Sequence, residues 1–257
     1  MDKIFDLKGR SALITGGSKG LGKAMAKGLA SHGAAVMTTS RHQEELDASR
    51  VEILDAAGPD AVVETRVSDM TDREEVDALA AAAQEKFGTV DILINNAGGN
   101  VPEPIDEVSD ENWDRIVELN LTGVMRLTRA LVPGMKDKKW GRIIHISSVL
   151  GLGSKPGRNG YSATKAALIG LAKASALDLG PFGITVNCIC PGPFLTDLPM
   201  SLLSEEEKAE FAAMTAVGRW GDPDEMMGPA LLLASQAGSY ITGTTLLVDG
   251  GAYARAL

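Results

Sequence analysis

Along the chain, short apolar runs alternate with longer stretches of helical periodicity. Strand-like runs begin near Ser11, Ala34, Ala61, Val90, Gly141, Ile184 and Thr244, and a helical pattern lies between consecutive members. Strands this apolar, separated by helices, predict an α/β chain: one parallel sheet of about seven strands, covered by helices on both faces. No linker, repeat or low-complexity segment divides it. Two helix starts carry their own signals, Thr71 with Glu74 as a capping box and Asp222-Pro223 with Glu225 as a first turn. Pro229, behind Gly228, predicts a kink in the last helix.

One region breaks the alternation. Residues 194–221 are too long for an ordinary connection, and Ser204 with Glu207 predicts a capped short helix inside them. Met200, Leu202, Leu203, Phe211, Met214 and Trp220 give this segment apolar side chains that need something to cover, which predicts a lid over a ligand.

Composition narrows the picture. The 257 residues suit one α/β domain, and 44% hydrophobic with only 4% aromatic residues predicts a core of Ala, Val, Leu and Ile. A net charge of -9 argues against nucleic acid or an anionic membrane as partner, since both require clustered positive charge. No apolar run approaches the roughly 20 residues of a membrane span, and Met1 to Arg10 lacks a signal-peptide core, so a cytoplasmic protein is expected. Cys188 and Cys190 flank Ile189 in a strand and read as buried thiols. His32, His42 and His145 show no metal-site spacing, and His145 reads as a packed strand residue.

Candidate chemistry lies in two places. Between the first strand and first helix runs Thr15-Gly16-Gly17-Ser18-Lys19-Gly20-Leu21-Gly22, where glycines would let backbone N–H groups approach a pyrophosphate at the positive end of the helix. The glycine spacing is GxxxGxG, not the commoner GxGxxG, and a Gly-rich turn without ligand would look similar. Further on, Tyr161 and Lys165 stand four apart on a helical pattern, so phenol and ammonium share a face, and a cation beside a phenol favours its ionised form. An exposed surface pair is the plainer reading of that spacing. Ser148, thirteen residues before Tyr161, ends an apolar strand, the place where open α/β sheets keep their ligands.

Together these residues resemble the short-chain dehydrogenase/reductase family over essentially the whole chain. Thr15 to Gly22 is similar to its cofactor loop, Asn95-Asn96-Ala97-Gly98 to its fourth-strand signature, and Asn120 to its helix-four asparagine. Ser148, Tyr161 and Lys165 complete its catalytic tetrad, and Pro191-Gly192 with Thr196 matches the loop that meets the nicotinamide. The resemblance implies a Rossmann-type doubly wound sheet spanning 1–257 as one domain, and a homotetramer built through the helices of Asn120 and Tyr161. It implies that Tyr161 donates a proton, Ser148 binds the substrate oxygen, and Lys165 lowers the tyrosine pKa and holds the nicotinamide ribose. Asn120 would support a water linking the lysine to solvent. Gly16, Ser18, Lys19, Gly20, Leu21 and Gly22, then Asn96, Ala97 and Gly98, then Pro191, Gly192 and Thr196 would hold the dinucleotide, with Asp69 on the adenine.

The second strand ends in Ser40-Arg41 without a carboxylate, and Lys19 lies in the glycine loop, so two cations and a hydroxyl are expected around a 2′-phosphate. This predicts NADP(H) as cofactor. The substrate pocket is expected to include Ser148, Leu150, Phe194 and Met200, with Lys155, Arg158 and Asn100 as polar contacts or solvated charges. The expected reaction moves a hydride between nicotinamide and the carbonyl or alcohol of a small ketone, keto acid or sugar acid. Two alternatives stand beside it: a 3-oxoacyl-acyl-carrier-protein reductase, weakened by Phe182 where a basic docking residue is expected although Lys139 could still serve, and an NADP-binding sensor without turnover.

Overall fold

The structure, a computed structural model, describes residues 2–196 and 203–254. Seven strands form one parallel sheet: β1 (Ser11–Thr15), β2 (Ala35–Ser40), β3 (Val63–Val67), β4 (Ile92–Asn95), β5 (Gly141–Ile146), β6 (Ile184–Pro191) and β7 (Thr245–Val248). Their order is β3-β2-β1-β4-β5-β6-β7, so the chain reverses its direction of travel between β1 and β4. Each strand starts within two residues of the position its apolar run predicts, and β1, β4, β5 and β6 are buried along their whole length, as strands covered on both faces are.

The pleat sorts side chains to two cores. Ala12, Ile14, Ile92, Ile94, Ile144, Ile146 and Ile189 face one layer, which α1 (Gly20–Ser31) covers with Met25 and Leu29 and α2 (Gln43–Ala57) with Ile53. Leu13, Leu93, Ile143, Val186, Cys188 and Cys190 face the other, under α3 (Arg73–Phe87), α5 (Gly123–Lys138) and α6 (Asn159–Leu179). Cys188 and Cys190 thus share a face as buried free thiols, and among the described residues Phe194 and Trp220 are the aromatic members of a core otherwise built from aliphatic residues, Met and Cys.

Between β4 and β5 the path runs through α4 (Asp110–Val117), one π-helical turn (Glu118–Thr122) and α5. After β6 come α7 (Glu205–Met214), a 3₁₀ turn (Pro223–Met226) and α8 (Met227–Ala234). Ser204 and Glu207 make the expected reciprocal cap on α7, and Asp222 with Glu225 makes one on the 3₁₀ turn. Two local expectations are corrected. Asp72, not Thr71, caps α3 by accepting from the N–H groups of Glu74 and Glu75, since Thr71 is itself tied to the Asp69 carboxylate. Pro229 does not kink a continuous helix. It falls in the first turn of α8, just after the 3₁₀ segment, where a missing N–H is tolerated. No described helix is long and apolar enough to cross a membrane.

Candidate active site

The C-terminal ends of β1, β4, β5 and β6 bring most of the sequence-marked residues to one edge. Gly16 and Gly20 have positive φ (65° and 49°), and a Cβ on Gly17 would stand 2.6 Å from Thr38 Cβ. A Cβ on Gly22 would overlap the Gly16 carbonyl oxygen. The loop is therefore a backbone cradle that side chains would fill. Lys19, at the N-cap of α1, provides no side-chain cap, which leaves that helix end suited to an anion. These features fit a dinucleotide pyrophosphate. Among the described residues, no cluster of His, Cys, Asp and Glu could hold a metal ion.

The neighbouring loop is locked to this cradle. Asn96 Nδ2 donates to the carbonyls of Thr15 and Gly16, both at 2.9 Å, and Thr15 Oγ1 accepts from the N–H groups of Asn96 and Ala97. The Asn96 amide thus shapes the cofactor loop through its neighbours. Leu21 packs into the core beneath it. On the far side, Gly192 N donates to Val248 O, and a Cβ on Gly20 would stand 3.0 Å from Thr196 Cγ2, so the loops after β1 and β6 meet. Asp69 follows β3, where its carboxylate accepts from Thr71 N and Oγ1. Ser40 Oγ accepts from His42 N, and Arg41 is exposed.

Ser148, Tyr161, Lys165 and Asn120 converge from β5, α6 and the π turn. Lys165 is buried, and its Nζ donates to Ile146 O at 2.8 Å and lies 5.6 Å from the Tyr161 ring centre. Burial pushes its pKa down to about 8. Burial also raises the Tyr161 phenol, while a hydrogen bond with Ser148 and the charge of Arg158 pull the other way. Two cations therefore lie near the phenol: the Lys165 ammonium, which donates to Ile146 O and stands beside the Tyr161 ring, and Arg158, whose charge favours the ionised phenol. Asn120 is fully buried, its Oδ1 accepting from Gly99 N and its Nδ2 donating to Gly99 O and Thr164 Oγ1. Thr164 Oγ1 donates to Tyr161 O, and Ser147 Oγ to Lys165 O at 2.7 Å. Neither Thr164 nor Ser147 stands out in the sequence, though both flank the motif residues directly.

The substrate-side residues divide. Leu150 lies in the turn after Ser148, its N–H donating to Ser148 Oγ at 3.1 Å. Phe194 is not a pocket residue: it is 6% exposed, packed in the core and against Gly221. Met200, like Leu202, lies outside the described residues. Phe211 and Trp220 stack at 5.4 Å, Trp220 Nε1 donates to Lys208 O, and Lys155 Nζ rests 4.5 Å over the Phe211 ring. Burial first, then Arg158, lowers the Lys155 pKa. Glu45 of α2 is the residue the sequence gives least reason to expect here, with Oε1 2.8 Å from Lys19 Nζ and Oε2 3.2 Å from Ser18 Oγ.

A doubly wound sheet with a glycine cradle at its strand ends and a half-buried tyrosine over a buried lysine beside it defines a nicotinamide-dependent oxidoreductase. The chain belongs to the short-chain dehydrogenase/reductase family; the family profile described as enoyl-(acyl carrier protein) reductase matches residues 16–253. It is 38% identical over 249 residues to gluconate 5-dehydrogenase of Gluconobacter oxydans, covering 96% of each chain. It is 39% identical over 249 residues to the 3-oxoacyl-[acyl-carrier-protein] reductase of Vibrio cholerae, covering 97% of this chain and 99% of that one. A crystal structure of a gluconate 5-dehydrogenase from Burkholderia cenocepacia in complex with NADP and tartrate superposes with a TM-score of 0.91 at 34% identity, over 99% of both chains.

Proposed function

We propose that this chain is an NADP(H)-dependent oxidoreductase acting on the carbonyl or secondary alcohol of a small ketone, keto acid or sugar acid. The observation that carries it is the half-buried Tyr161, its phenol hydrogen-bonded with Ser148 and backed by Lys165. The cofactor, when bound in the glycine cradle with Lys19, Ser40 and Arg41 around its 2′-phosphate, supplies or accepts the hydride. Tyr161 gives its proton to the substrate oxygen in reduction and takes it back in oxidation, while Ser148 donates a hydrogen bond to the same oxygen. Lys165 holds the nicotinamide ribose and Asn120 fixes the loop after β4. The excursion from Phe194 to Gly221 serves as substrate lid.

Two cations favour an acid as substrate. Arg158 acts electrostatically on Tyr161, and Lys155 sits over the Phe211 ring, so a carboxylate entering beside the phenol meets positive charge. The relatives named for gluconate support the same reading. The acyl-carrier reading has one observation in its favour: Lys136 Nζ lies 4.5 Å over the Phe182 ring, returning a cation to that corner. Assembly as a homotetramer fits the exposed apolar side chains of Trp113 on α4, Met125 on α5 and Leu177 on α6.

The test is oxidation of NADPH with ketones, keto acids, sugar-derived ketones and a 3-oxoacyl thioester of an acyl carrier. Turnover is expected on an acid, falling about a thousandfold in Tyr161→Phe with cofactor affinity retained. Best turnover on the carrier thioester would select the second reading, and tight cofactor binding without turnover on any member would mark a sensor.

A further inference from the structure

At the end of β2 the sequence offers Ser40 and Arg41, and no carboxylate. The fold supplies one from elsewhere. Glu45, in the first turn of α2, reaches the glycine loop and accepts hydrogen bonds from Lys19 Nζ at 2.8 Å and Ser18 Oγ at 3.2 Å. The Lys19 hydrogen bond is the main cause of a lowered carboxyl pKa, with the Lys19 charge, Ser18 and His42 adding to it. An ionised carboxylate therefore stands among the groups that the proposed NADP(H) site assigns to the 2′-phosphate.

A ribose 2′-hydroxyl can donate to such a carboxylate, whereas a 2′-phosphate must compete with it for Lys19 and Ser18 and is repelled by it. Lys19 serves both cases, as partner of the phosphate in one and as anchor of Glu45 in the other. We infer that Glu45 is a specificity-determining residue for the cofactor: it accepts the ribose 2′-hydroxyl of NAD(H), opposes the 2′-phosphate, and leaves the chain able to use NAD(H) as well as NADP(H). This rests on the placement of the adenosine ribose between the glycine loop and the end of β2. Specificity here is a difference between two affinities, so removal of the charge moves them in opposite directions.

The experiment is calorimetric binding of NADP⁺, NAD⁺, 2′,5′-ADP and 5′-AMP to the full chain, to Glu45→Gln and to Lys19→Ala. Gln keeps the size of Glu at a half-buried position. Glu45→Gln is expected to bind NADP⁺ and 2′,5′-ADP about tenfold more tightly, and NAD⁺ and 5′-AMP a few-fold more weakly. Lys19→Ala is expected to weaken the 2′-phosphorylated ligands. An unchanged NADP⁺ to NAD⁺ ratio in Glu45→Gln, with NADP⁺ weakened in Lys19→Ala, would overturn the role of Glu45 alone. Unchanged NADP⁺ affinity in both variants would overturn the placement of the 2′-phosphate and the inference with it.

Discussion

The two ends of the sheet each bury a charge, and they treat it differently. At the N-terminal edge Asp91, 1% exposed, accepts from Ser11 N at 3.0 Å and from Lys138 Nζ at 3.1 Å, with Arg10 at 3.6 Å. At the C-terminal edge Lys165, 4% exposed, has a backbone carbonyl as acceptor and no carboxylate pairs with it among the described residues. A buried charge with its counter-ions in place binds elements together, whereas one without them is held at a cost that local packing alone does not repay. A surface cavity of about 960 Å³ lies at the Asp91 edge, lined by Lys8, Arg10, His32 and Phe87 among others.

Substitution at the two charges gives the largest expected effects. Asp91→Ala should cost about 1–3 kcal/mol of unfolding free energy, because it leaves the buried Ser11 N–H without its acceptor, while turnover per folded molecule stays close to that of the unmutated chain. Lys165→Met should leave stability within about 1 kcal/mol or raise it, and abolish most turnover. Urea unfolding alongside an NADPH assay measures both; equal destabilisation by the two would break the contrast.

His145 sharpens it. Burial, with Lys165 adding, pushes its pKa down to about 4, so the native state excludes a proton that the unfolded chain accepts near pH 6.5. Its contribution is present above pH 6.5 and is lost as pH falls towards 4, by about 3 kcal/mol. His145→Asn should flatten that acid limb in urea midpoints taken between pH 7 and pH 4.5. A limb of unchanged slope would place the proton uptake elsewhere.

The smallest effect is expected at Lys138→Met. Its side chain is 41% exposed, and Asp91 keeps Ser11 and Arg10, so the loss should stay under about 1 kcal/mol. A loss near that of Asp91→Ala would mean that the pair, not the carboxylate's whole shell, ties the edge together.

Much of this architecture is legible in the chain, and for a physical reason. Strands covered on both faces are strongly apolar, and the cradle needs glycine where φ is positive, so β1, β4, β5, β6 and Gly16 to Gly22 declare themselves locally. Tyr161 and Lys165 do so through helical spacing. Two misses are local, the α3 cap at Asp72 and the place of Pro229, and the others are long-range. Glu45 meets Ser18 and Lys19 only because α1 and α2 lie side by side. The core position of Phe194 depends on Gly221 having no side chain. That Lys165 Nζ reaches Ile146 O depends on how α6 docks on β5. Spacing along one helix cannot report a partner on another element.

Leu195 N donates to Gly221 O, and Gly221 N to Pro193 O, both at 2.9 Å, so the excursion after β6 leaves and rejoins the body at one seam. A loop whose ends are already clasped changes its closure free energy by only about 0.6 kcal/mol for each doubling of length. The length of chain between the clasped ends can therefore change at little cost in closure free energy, while Tyr161 and the glycine cradle stay as they are. The seam separates two inheritances within one chain, a sheet edge whose residues are fixed by their neighbours and an excursion whose length is not.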